Sequence, residues 1–472
     1  MIVLKFGGSS VDGAAGIARA AAIVRERLAK EPVVVVVSAM AKATRLLRDC
    51  AEEAAAGILS SSLASCASLH DFHRREAEAA VPAAARPALA AALERSFGEL
   101  RALLARLAAA RQLTPRDADH AVAFGELLAS EILALALPRH GVDAAWVDCR
   151  QVMVTDDGFT CAQPLYEETD ARLRARLLPL LAQGKVPVLG GYVGATAAGI
   201  TTTLGTEGSD FSAAIVGAAL GVREVQIWTD VDGILTADPR LVPGALLVPT
   251  LSFAESLELA CAGAKKPHPG TLGPAGRAGI PIRILNSRRP PSETGEGTLI
   301  GRRSAAAPAV RSLAFRANDR LLYALPATRG GSDGFLAGVL AAAERLRPAL
   351  LVVEAGAERA LLALDREERL GAVRAALAPL ADVGVVRGRA VVSLVSDDLA
   401  ASPQLVERAL AAAGDYQPRL VVAGAAAPAV RCLVEVEELP VAVAAIHRRL
   451  FAPLAPLAPI DAPAASPREA GE

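Results

Sequence analysis

The sequence predicts an α/β fold, a sandwich built on a mainly parallel sheet and followed by two ferredoxin-like βαββα modules. Three observations support this prediction. Strand-like apolar runs alternate with helical stretches over residues 1–300, which is the pattern of a parallel sheet covered by helices. After Leu313 the order changes to strand, helix, strand, strand and helix. The same set occurs again about 70 residues later, which indicates a tandem of small modules.

The first elements are a strand, a helix and a second strand. Ile2–Phe6 is a short apolar run, Asp12–Lys30 has a helical pattern, and Val33–Ser38 is a β-branched run typical of a buried parallel strand. Residues 45–137 are rich in Ala, Leu, Arg and Glu and predict a long helical insert. Its predicted breaks lie at Gly57, Pro82, Pro87 and Thr114-Pro115.

Strand and helix then alternate again until a linker at residues 288–297. The predicted strands are Ala144–Val147, Val186–Leu189, Glu224–Trp228 and Ile280–Leu285, and the predicted helices are Tyr166–Leu181 and Phe211–Leu220. We therefore assign residues 1–300 to one α/β domain that contains the insert.

The first small module is predicted over residues 311–382, the second over 386–451, and a disordered Pro/Ala-rich tail over 452–472. The elements predicted for the first module are Leu321–Leu325, Gly334–Arg345, Ala349–Val353, Ala360–Leu364 and Glu367–Leu380. Those predicted for the second are Arg389–Val395, Pro403–Ala413, Arg419–Val422, Val430–Val436 and Pro440–Leu450.

Composition excludes several classes of protein. The net charge of −1 and the pI of about 6.6 offer no basic face for nucleic acid. No run of about 18 uncharged apolar residues is present, and Met1–Phe6 reads as a strand, so we expect neither a membrane span nor a signal peptide. The six cysteines are scattered without a CxxC pair, which indicates reduced thiols in a cytoplasmic protein. His70 and His73 lack acidic or cysteine companions, so no metal-ligand site is predicted.

A glycine-rich turn follows the first predicted strand as Lys5-Phe6-Gly7-Gly8-Ser9-Ser10. Glycines let backbone N–H groups approach phosphate oxygens, and the start of the next helix adds a positive dipole end. No GxxxxGK[ST] segment exists, so this is not a Walker A loop. A purely structural turn is the alternative, but Lys5 at the same strand end favours phosphate binding.

Three further segments carry polar side chains. Thr201–Asp210 has three threonines ahead of Gly-Ser-Asp, which suits ligand contact, helix capping or both. Trp228–Gly233 places an acidic pair and a glycine at a strand's carboxyl edge, which suits nucleotide binding better than calcium because the EF-hand spacing is absent. Lys265 and Lys266 stand in a proline-stiffened loop that is either solvated or faces phosphate.

Together and in this order, these segments resemble the aspartate kinase family of the amino acid kinase superfamily, in its monofunctional, lysine-regulated type. The resemblance covers residues 1–300 strongly and 310–450 weakly, and implies a three-layer α/β/α amino acid kinase sandwich followed by tandem ACT domains. The matching stretches are KFGGSSV at Lys5–Val11, SAM and a threonine at Ser38–Thr44, FGE at Phe124–Glu126, TTTLG and GSD at Thr201–Asp210, TDVDGI and TADPR at Thr229–Arg240, GAK and PHP at Gly263–Pro269, and GTLI at Gly297–Ile300.

The resemblance also implies roles for individual residues. Lys5 and Lys265 would lie along the phosphates, with Asp210 organising both lysines as the third catalytic residue. The implied ATP-binding set is Lys5, Gly7, Gly8, Ser9, Thr229, Asp230, Arg240, Lys265 and Lys266. The implied substrate set is Ser38, Thr44, Glu126, Thr206, Gly208 and Ser209, with Glu126 pairing the α-ammonium group. ATP with Mg²⁺ is the implied cofactor.

The implied reaction is phosphorylation of the β-carboxylate of L-aspartate to 4-phospho-L-aspartate, the first step toward lysine, threonine and methionine. A carboxylate with a pKa of about 4 is already ionised at pH 7, so catalysis rests on positioning and on cations rather than on a general base. Two alternatives stay open: a paralogue with an altered carboxylate substrate, and a catalytically weak regulatory subunit.

The chain departs from the family's pattern at two places. Thr206 and Glu207 stand where the family has Arg-Gly, and that arginine resembles the residue that clasps the substrate's α-carboxylate; its loss predicts aspartate binding weaker by on the order of 1–3 kcal/mol. Leu235 replaces a tyrosine that lies near the nucleotide base in the family.

In the tail, residues 350–357 and 424–427 lack the expected Asp, Ser-Glu and hydroxyl groups, so we predict weak or absent lysine inhibition. A homodimer through the ACT-like modules is also implied.

Overall fold

The computed structural model describes most of the 472-residue chain. The described ranges are 1–205, 208–264, 269–289, 296–301, 309–318, 321–327, 334–346, 350–355, 359–364, 369–414, 421–423 and 428–451. Thr206, Glu207, Lys265 and Lys266 therefore lie outside the described residues.

The first 301 residues contain a large, mainly parallel sheet and a small sheet beside it. Their strands are β1 Ile2–Phe6, β2 Val33–Val37, β3 Ala144–Val147, β4 Val154–Thr155, β5 Val186–Gly190, β6 Val193–Thr196, β7 Thr201–Thr203, β8 Glu224–Thr229, β9 Thr250–Ser252, β10 Ile282–Asn286 and β11 Thr298–Gly301. The large sheet has the order β3-β5-β2-β1-β8-β10-β11-β9, and only the β10–β11 pair is antiparallel among its described strands. The carboxyl ends of β1, β2, β5, β8 and β10 therefore share one edge.

Helices cover both faces of this sheet. They are α1 Ala14–Leu28, α2 Ala43–Ala55, α3 Leu59–Ala80, α4 Arg86–Ala110, α5 Pro115–Ala136, α6 Tyr166–Ala182, α7 Gly208–Leu220, α8 Phe253–Cys261 and α9 Pro269–Ala278. Successive side chains of a strand point to opposite faces. Ile2, Leu4 and Phe6 accordingly join the core under α1 to α5, whereas Val3 joins the core under α6 to α9. The predicted three-layer α/β/α fold is confirmed.

Helices α2 to α5 form the predicted insert. The long apolar segment Pro115–His140 has the length and composition that a membrane crossing requires, but 83% of its most apolar stretch is buried inside the fold. Its buried side chains pack against β3, β5, β7 and the neighbouring helices, so α5 is the core helix of the insert.

Two antiparallel four-stranded sheets follow. Their strands are β12 Ser312–Asn318, β13 Leu321–Pro326, β14 Leu350–Ala355, β15 Ala360–Leu364, β16 Ala381–Val386, β17 Arg389–Val395, β18 Val421–Ala423 and β19 Ala429–Glu435. Their helices are α10 Phe335–Arg345, α11 Leu370–Leu377, α12 Pro403–Ala413 and α13 Leu439–Phe451. The sheet orders are β14-β15-β13-β16 and β12-β17-β19-β18, so each βαββα set gains a fourth strand at its edge.

The predicted module boundaries need correction because of these edge strands. β12 lies at residues assigned to the first module, yet it pairs with β17 along its whole length and completes the second sheet. β16, which the sequence analysis did not predict as a strand, pairs with β13 and completes the first sheet. The first sheet is thus inserted between β12 and the rest of the second, a pairing between distant segments that no local pattern encodes.

Candidate active site

Lys5 on β1 and Asp210 on α7 form a buried ion pair at the carboxyl edge of the sheet. Lys5 Nζ lies 2.5 Å from Asp210 Oδ1, and the two side chains are 6% and 1% exposed. Lys5 points to the same face as Val3, whose neighbours include α7, so strand parity directs the lysine toward the first turn of that helix. The negative charge of Asp210 is also favoured by the positive end of the α7 dipole.

The turn after β1 packs tightly against the turn after β2. Gly8 accepts a hydrogen bond from Ala41 N–H at 3.1 Å, and a Cβ atom at Gly8 would lie 2.7 Å from the carbonyl oxygen of Ala39. Gly7 N–H donates to Trp228 O on β8 at 3.1 Å. Glycine is therefore required at position 8 by the close approach of two backbones, beside the lysine that would face phosphate.

Glu126 on α5 is a buried carboxyl group that has spare hydrogen-bonding capacity. Thr44 Oγ1 donates to Glu126 Oε1 at 3.3 Å, while Glu126 Oε2 has no hydrogen-bond partner among the described residues. Burial raises the pKa of Glu126 to about 7, an effect that hydrogen bonds from the backbone and from Thr44 and the charge of Lys5 only partly oppose. An unpartnered buried carboxyl oxygen is a favourable position for a cationic ligand group.

The other predicted substrate residues lie around these side chains. Ser38 follows β2, and its N–H donates to Phe6 O at 3.0 Å. Gly208 and Ser209 begin α7 directly before Asp210 and are buried. Ser209 packs against the strand-end turn, since a Cβ atom at Gly191 would lie 2.7 Å from Ser209 Cα. Thr206 lies outside the described residues.

The predicted nucleotide residues divide into two groups. Thr229 ends β8, and its carbonyl accepts hydrogen bonds from Ser287 N–H at 2.7 Å and from Ser287 Oγ at 2.9 Å. Thr229 Oγ1 donates to the neighbouring carboxylate of Asp230 at 3.2 Å. Arg240 is exposed and binds Asp238, and no hydrogen bond or ion pair among the described residues joins it to Lys5. Lys265 and Lys266, predicted to face phosphate, lie outside the described residues.

Sequence reasoning missed a cluster of arginines at the end of β10. The Arg288 guanidinium donates to Ser9 O at 3.3 Å and to Asp12 Oδ2 at 3.1 Å, while Asn286 Nδ2 donates to Asp232 Oδ1 at 2.7 Å. Arg289 also pairs with Asp232. The sequence analysis assigns Arg288 and Arg289 to a linker. Their position directly after a predicted parallel strand was the signal that could have placed them at the site.

Sequence reasoning also missed Asp119, a buried carboxyl group on α5. It accepts hydrogen bonds from Thr203 Oγ1 at 2.6 Å, from Thr203 N–H at 3.0 Å and from Thr160 N–H at 2.9 Å. Burial raises the pKa of Asp119 although these bonds oppose the rise. Asp119 thus holds the threonine strand β7 against α5, seven residues before Glu126.

Comparison with known proteins identifies the family of this chain. The family model described as the amino acid kinase family matches residues 1–286. Aspartokinase 2, chloroplastic, of Arabidopsis thaliana is 31% identical over 468 residues, which cover 95% of this chain and 84% of the relative. The chain belongs to the amino acid kinase family and, within it, to the aspartokinases. It is therefore a kinase, as the sequence predicted.

Further aspartokinases give the same result. Lysine-sensitive aspartokinase 3 of Escherichia coli strain K12 is 33% identical over 352 residues, 73% of this chain and 78% of that protein. The structure of E. coli aspartokinase III with aspartate and ADP, in its R-state, superposes with a TM-score of 0.81 at 31% identity and covers 96% of this chain. The T-state structure with lysine and aspartate superposes with a TM-score of 0.76.

Proposed function

We propose that this protein is an aspartate kinase, which transfers the γ-phosphoryl group of ATP to the β-carboxylate of L-aspartate and forms 4-phospho-L-aspartate. The observation that carries the proposal is the buried Lys5–Asp210 pair at the sheet edge where Glu126 lies on the adjoining helix. The similar E. coli aspartokinase III was solved with aspartate and ADP, which supports the same ligands here. A role in the biosynthesis of lysine, threonine and methionine follows from that product.

The chemistry needs charge compensation rather than proton transfer. A β-carboxylate oxygen attacks the γ-phosphorus, the bond from that phosphorus to the bridging oxygen breaks, and ADP leaves with the electron pair. Lys5 would stabilise negative charge on the phosphoryl oxygens, and Asp210 holds its ammonium group in place within the fold. Mg²⁺ would arrive with ATP and neutralise part of the phosphate charge, and carboxylates such as Asp210 and Asp230 suit an Mg-nucleotide.

Glu126 would bind the α-ammonium group of the amino acid. Its free Oε2 atom is buried, so an ammonium group placed there would meet an anion that few waters screen. The ionised form of Glu126 is the one that binds a cation, and burial keeps its pKa at about 7 before the ligand arrives. Ligand binding at neutral pH should therefore release protons.

Acyl phosphate formation tests the proposed function. Purified full-length protein is incubated with Mg-ATP and hydroxylamine, which traps acyl phosphates as hydroxamates, over a panel of acidic amino acids that includes L-aspartate, L-glutamate and N-acetyl-L-glutamate. Preferred turnover of aspartate is expected. A preference for another acid would replace the proposed substrate, and no hydroxamate with any acid would indicate a regulatory subunit instead.

The tail would mediate assembly and a weakened form of regulation. The first module has exposed apolar side chains at Tyr323, Leu325, Leu336 and Leu340, which supports a homodimer through the ACT-like modules. We expect this homodimer in the cytoplasm, as the scattered cysteines indicate. Residues 350–357 and 424–427, which are expected to bind lysine, lack the Asp, the Ser-Glu pair and the hydroxyl groups of the family's pattern. Millimolar lysine should therefore inhibit phosphoryl transfer weakly, and strong inhibition at micromolar lysine would contradict this proposal. Sedimentation velocity measures the oligomeric state.

A further inference from the structure

The proposed substrate carries a charge for which the site residues described above provide no partner. L-Aspartate has an α-ammonium group, an α-carboxylate and a β-carboxylate. Glu126 suits the ammonium group, and Lys5 lies where the β-carboxylate meets phosphate. The α-carboxylate shares its carbon with the ammonium group, so its cation must lie within a few ångströms of the Glu126 pocket. Thr206 and Glu207 provide no cation in sequence.

Helix α2 presents an arginine on the side that faces Glu126. Thr44, in the first turn of α2, donates to Glu126 Oε1, and Arg48 follows four residues later. Residues four apart lie on the same side of a helix, one turn from each other. Arg48 is exposed, and its guanidinium forms no hydrogen bond or ion pair with the parts of the chain that the structure describes.

The charge of Arg48 acts on two side chains near the site, Asp119 and Tyr192. Asp119 lies two turns before Glu126 on α5, and Tyr192 follows the strand-end turn at Gly191. The guanidinium lowers the pKa of both groups, against the larger effect of burial. Asp119 is occupied by hydrogen bonds from Thr160 and Thr203, so it leaves the cation available.

We propose that Arg48 binds the α-carboxylate of the substrate and so selects free α-amino acids, an inference that rests on the proposed aspartate kinase function. Thr44, Glu126 and Arg48 then line one side of the substrate site. The ammonium group on the α-carbon of the substrate contacts Glu126, and the carboxylate on the same carbon contacts Arg48. A guanidinium group donates two parallel hydrogen bonds to a carboxylate, which gives orientation as well as affinity.

The test compares L-aspartate with L-isoasparagine, in which an amide replaces the α-carboxylate and the β-carboxylate is intact. In Arg48→Met we expect the KM for aspartate to rise about 10- to 100-fold, with the KM for ATP unchanged. The preference of the wild type for aspartate over isoasparagine should largely disappear, and Arg48→Lys should restore part of it. Arg45→Met is the matched control, because Arg45 lies on the same helix with an 82% exposed side chain near Asp49.

Two outcomes separate this inference from the proposed function. An active wild type whose preference survives in Arg48→Met would overturn the role of Arg48 and leave the kinase assignment intact. A wild type without turnover of aspartate would overturn the proposed aspartate kinase function. In that case, calorimetric titrations of L-aspartate and of L-isoasparagine in the presence of ADP test whether Arg48 binds the α-carboxylate. Selective loss of aspartate affinity in Arg48→Met supports its role, and equal affinities or no binding to the wild type refute it.

Discussion

Lys5 and Asp210 are removed from water together and form a buried ion pair. An ion pair in this position contributes little net stability, because desolvation offsets much of the attraction. Its value is positional: the ion pair fixes the ammonium group at the sheet edge where the proposed reaction would place the phosphoryl group. Positioned charge lowers the barrier because it needs no reorganisation during the reaction.

Replacement of Lys5 by Ala should reduce kcat far more than it changes KM. Loss of one preorganised donor typically costs about 10²- to 10³-fold in kcat, and we expect a loss of that order. Steady-state kinetics with saturating ATP and aspartate give the measurement, and Lys30→Ala, at an exposed lysine near Glu26, is the control. An unchanged kcat in Lys5→Ala would exclude the role assigned to this side chain.

Glu126 predicts a pH dependence of substrate binding. Its pKa is raised to about 7 by burial, so the fraction that is ionised, and able to bind an ammonium group, grows as the pH rises through 7. The value of kcat/KM for aspartate should therefore rise between pH 6 and pH 8 in the wild type. Glu126→Gln should have a higher KM and lack this rise. Glu131→Gln, at an exposed pair on the same helix, should retain it.

The same pKa has an opposite effect on stability. A carboxyl group whose pKa is higher in the folded than in the unfolded state holds its proton more tightly when folded, so the free energy of unfolding falls as the pH rises from about 4.5 to 7. The loss attributable to Glu126 is about 3 kcal/mol. Denaturant titrations without ligand, repeated between pH 4.5 and pH 7, should show a smaller decrease in the free energy of unfolding for Glu126→Gln than for the wild type. The same dependence of this free energy on pH in both proteins would contradict the buried ionisation.

At the scale of elements, the site is made by turns that end parallel strands. The turns after β1 and β2 approach each other at Gly8, Ala39 and Ala41, and Ser10 Oγ shares a hydrogen bond of 2.7 Å with Ser287 Oγ at the end of β10. Backbone-to-backbone contact leaves no flexible side chain that could yield to a larger residue. The position of the turn after β1, which the proposed function places beside phosphate, therefore depends on glycine.

Gly8→Ala should separate these two turns. The new methyl group would lie 2.7 Å and 2.9 Å from the carbonyl oxygens of Ala39 and Ala41, closer than Cβ atoms are found. We expect a loss of stability of about 1–3 kcal/mol, as for other overpacked sites, together with weaker ATP binding. Calorimetry with a non-hydrolysable ATP analogue measures the affinity. Gly244→Ala is the control, since a Cβ atom there meets nothing within 4 Å.

At the scale of the whole molecule, the second module is joined to the kinase sandwich through buried polar contacts. Arg311 lies directly before β12; its guanidinium pairs with Asp398 at 2.9 Å and lies 3.7 Å from Glu255 on α8. Burial raises the pKa of Glu255, although Arg311 opposes the rise. A second contact joins Thr236, in the loop after β8, to His447 on α13 at 2.8 Å. These contacts connect the module to the loop that carries Asp230 and Arg240.

Arg311→Met should therefore destabilise the junction. Removal of one partner from a buried ion cluster leaves uncompensated charge and costs about 3–5 kcal/mol. Arg223→Met removes an arginine that is 60% exposed from its pair with Glu31 and should cost at most about 1 kcal/mol. Denaturant unfolding followed by fluorescence and circular dichroism compares the two variants. Equal effects would show that the junction is not a source of stability.

Much of the fold is predictable from sequence because its signals are local. The alternation of strand and helix, and the two βαββα sets, come from periods of a few residues. The β-branched run at Val33–Val37 and the turn at Gly7-Gly8 lie where they were predicted. The predicted strand near Arg419–Val422 lies at Val421–Ala423. Boundaries shifted by up to three residues, because hydrogen bonding rather than composition decides where an element ends.

The sequence by itself determined the family, the fold class and the place of the Gly7-Gly8 turn after the first strand, since these depend on short ordered motifs. Only the tertiary structure decided which distant residues meet. It paired β12 with the second module, held Thr203 on Asp119 across 84 positions, and joined Thr44 on α2 to Glu126 on α5. The physical reason is that such contacts depend on how helices and sheets pack, and packing joins segments whose local patterns carry no record of each other.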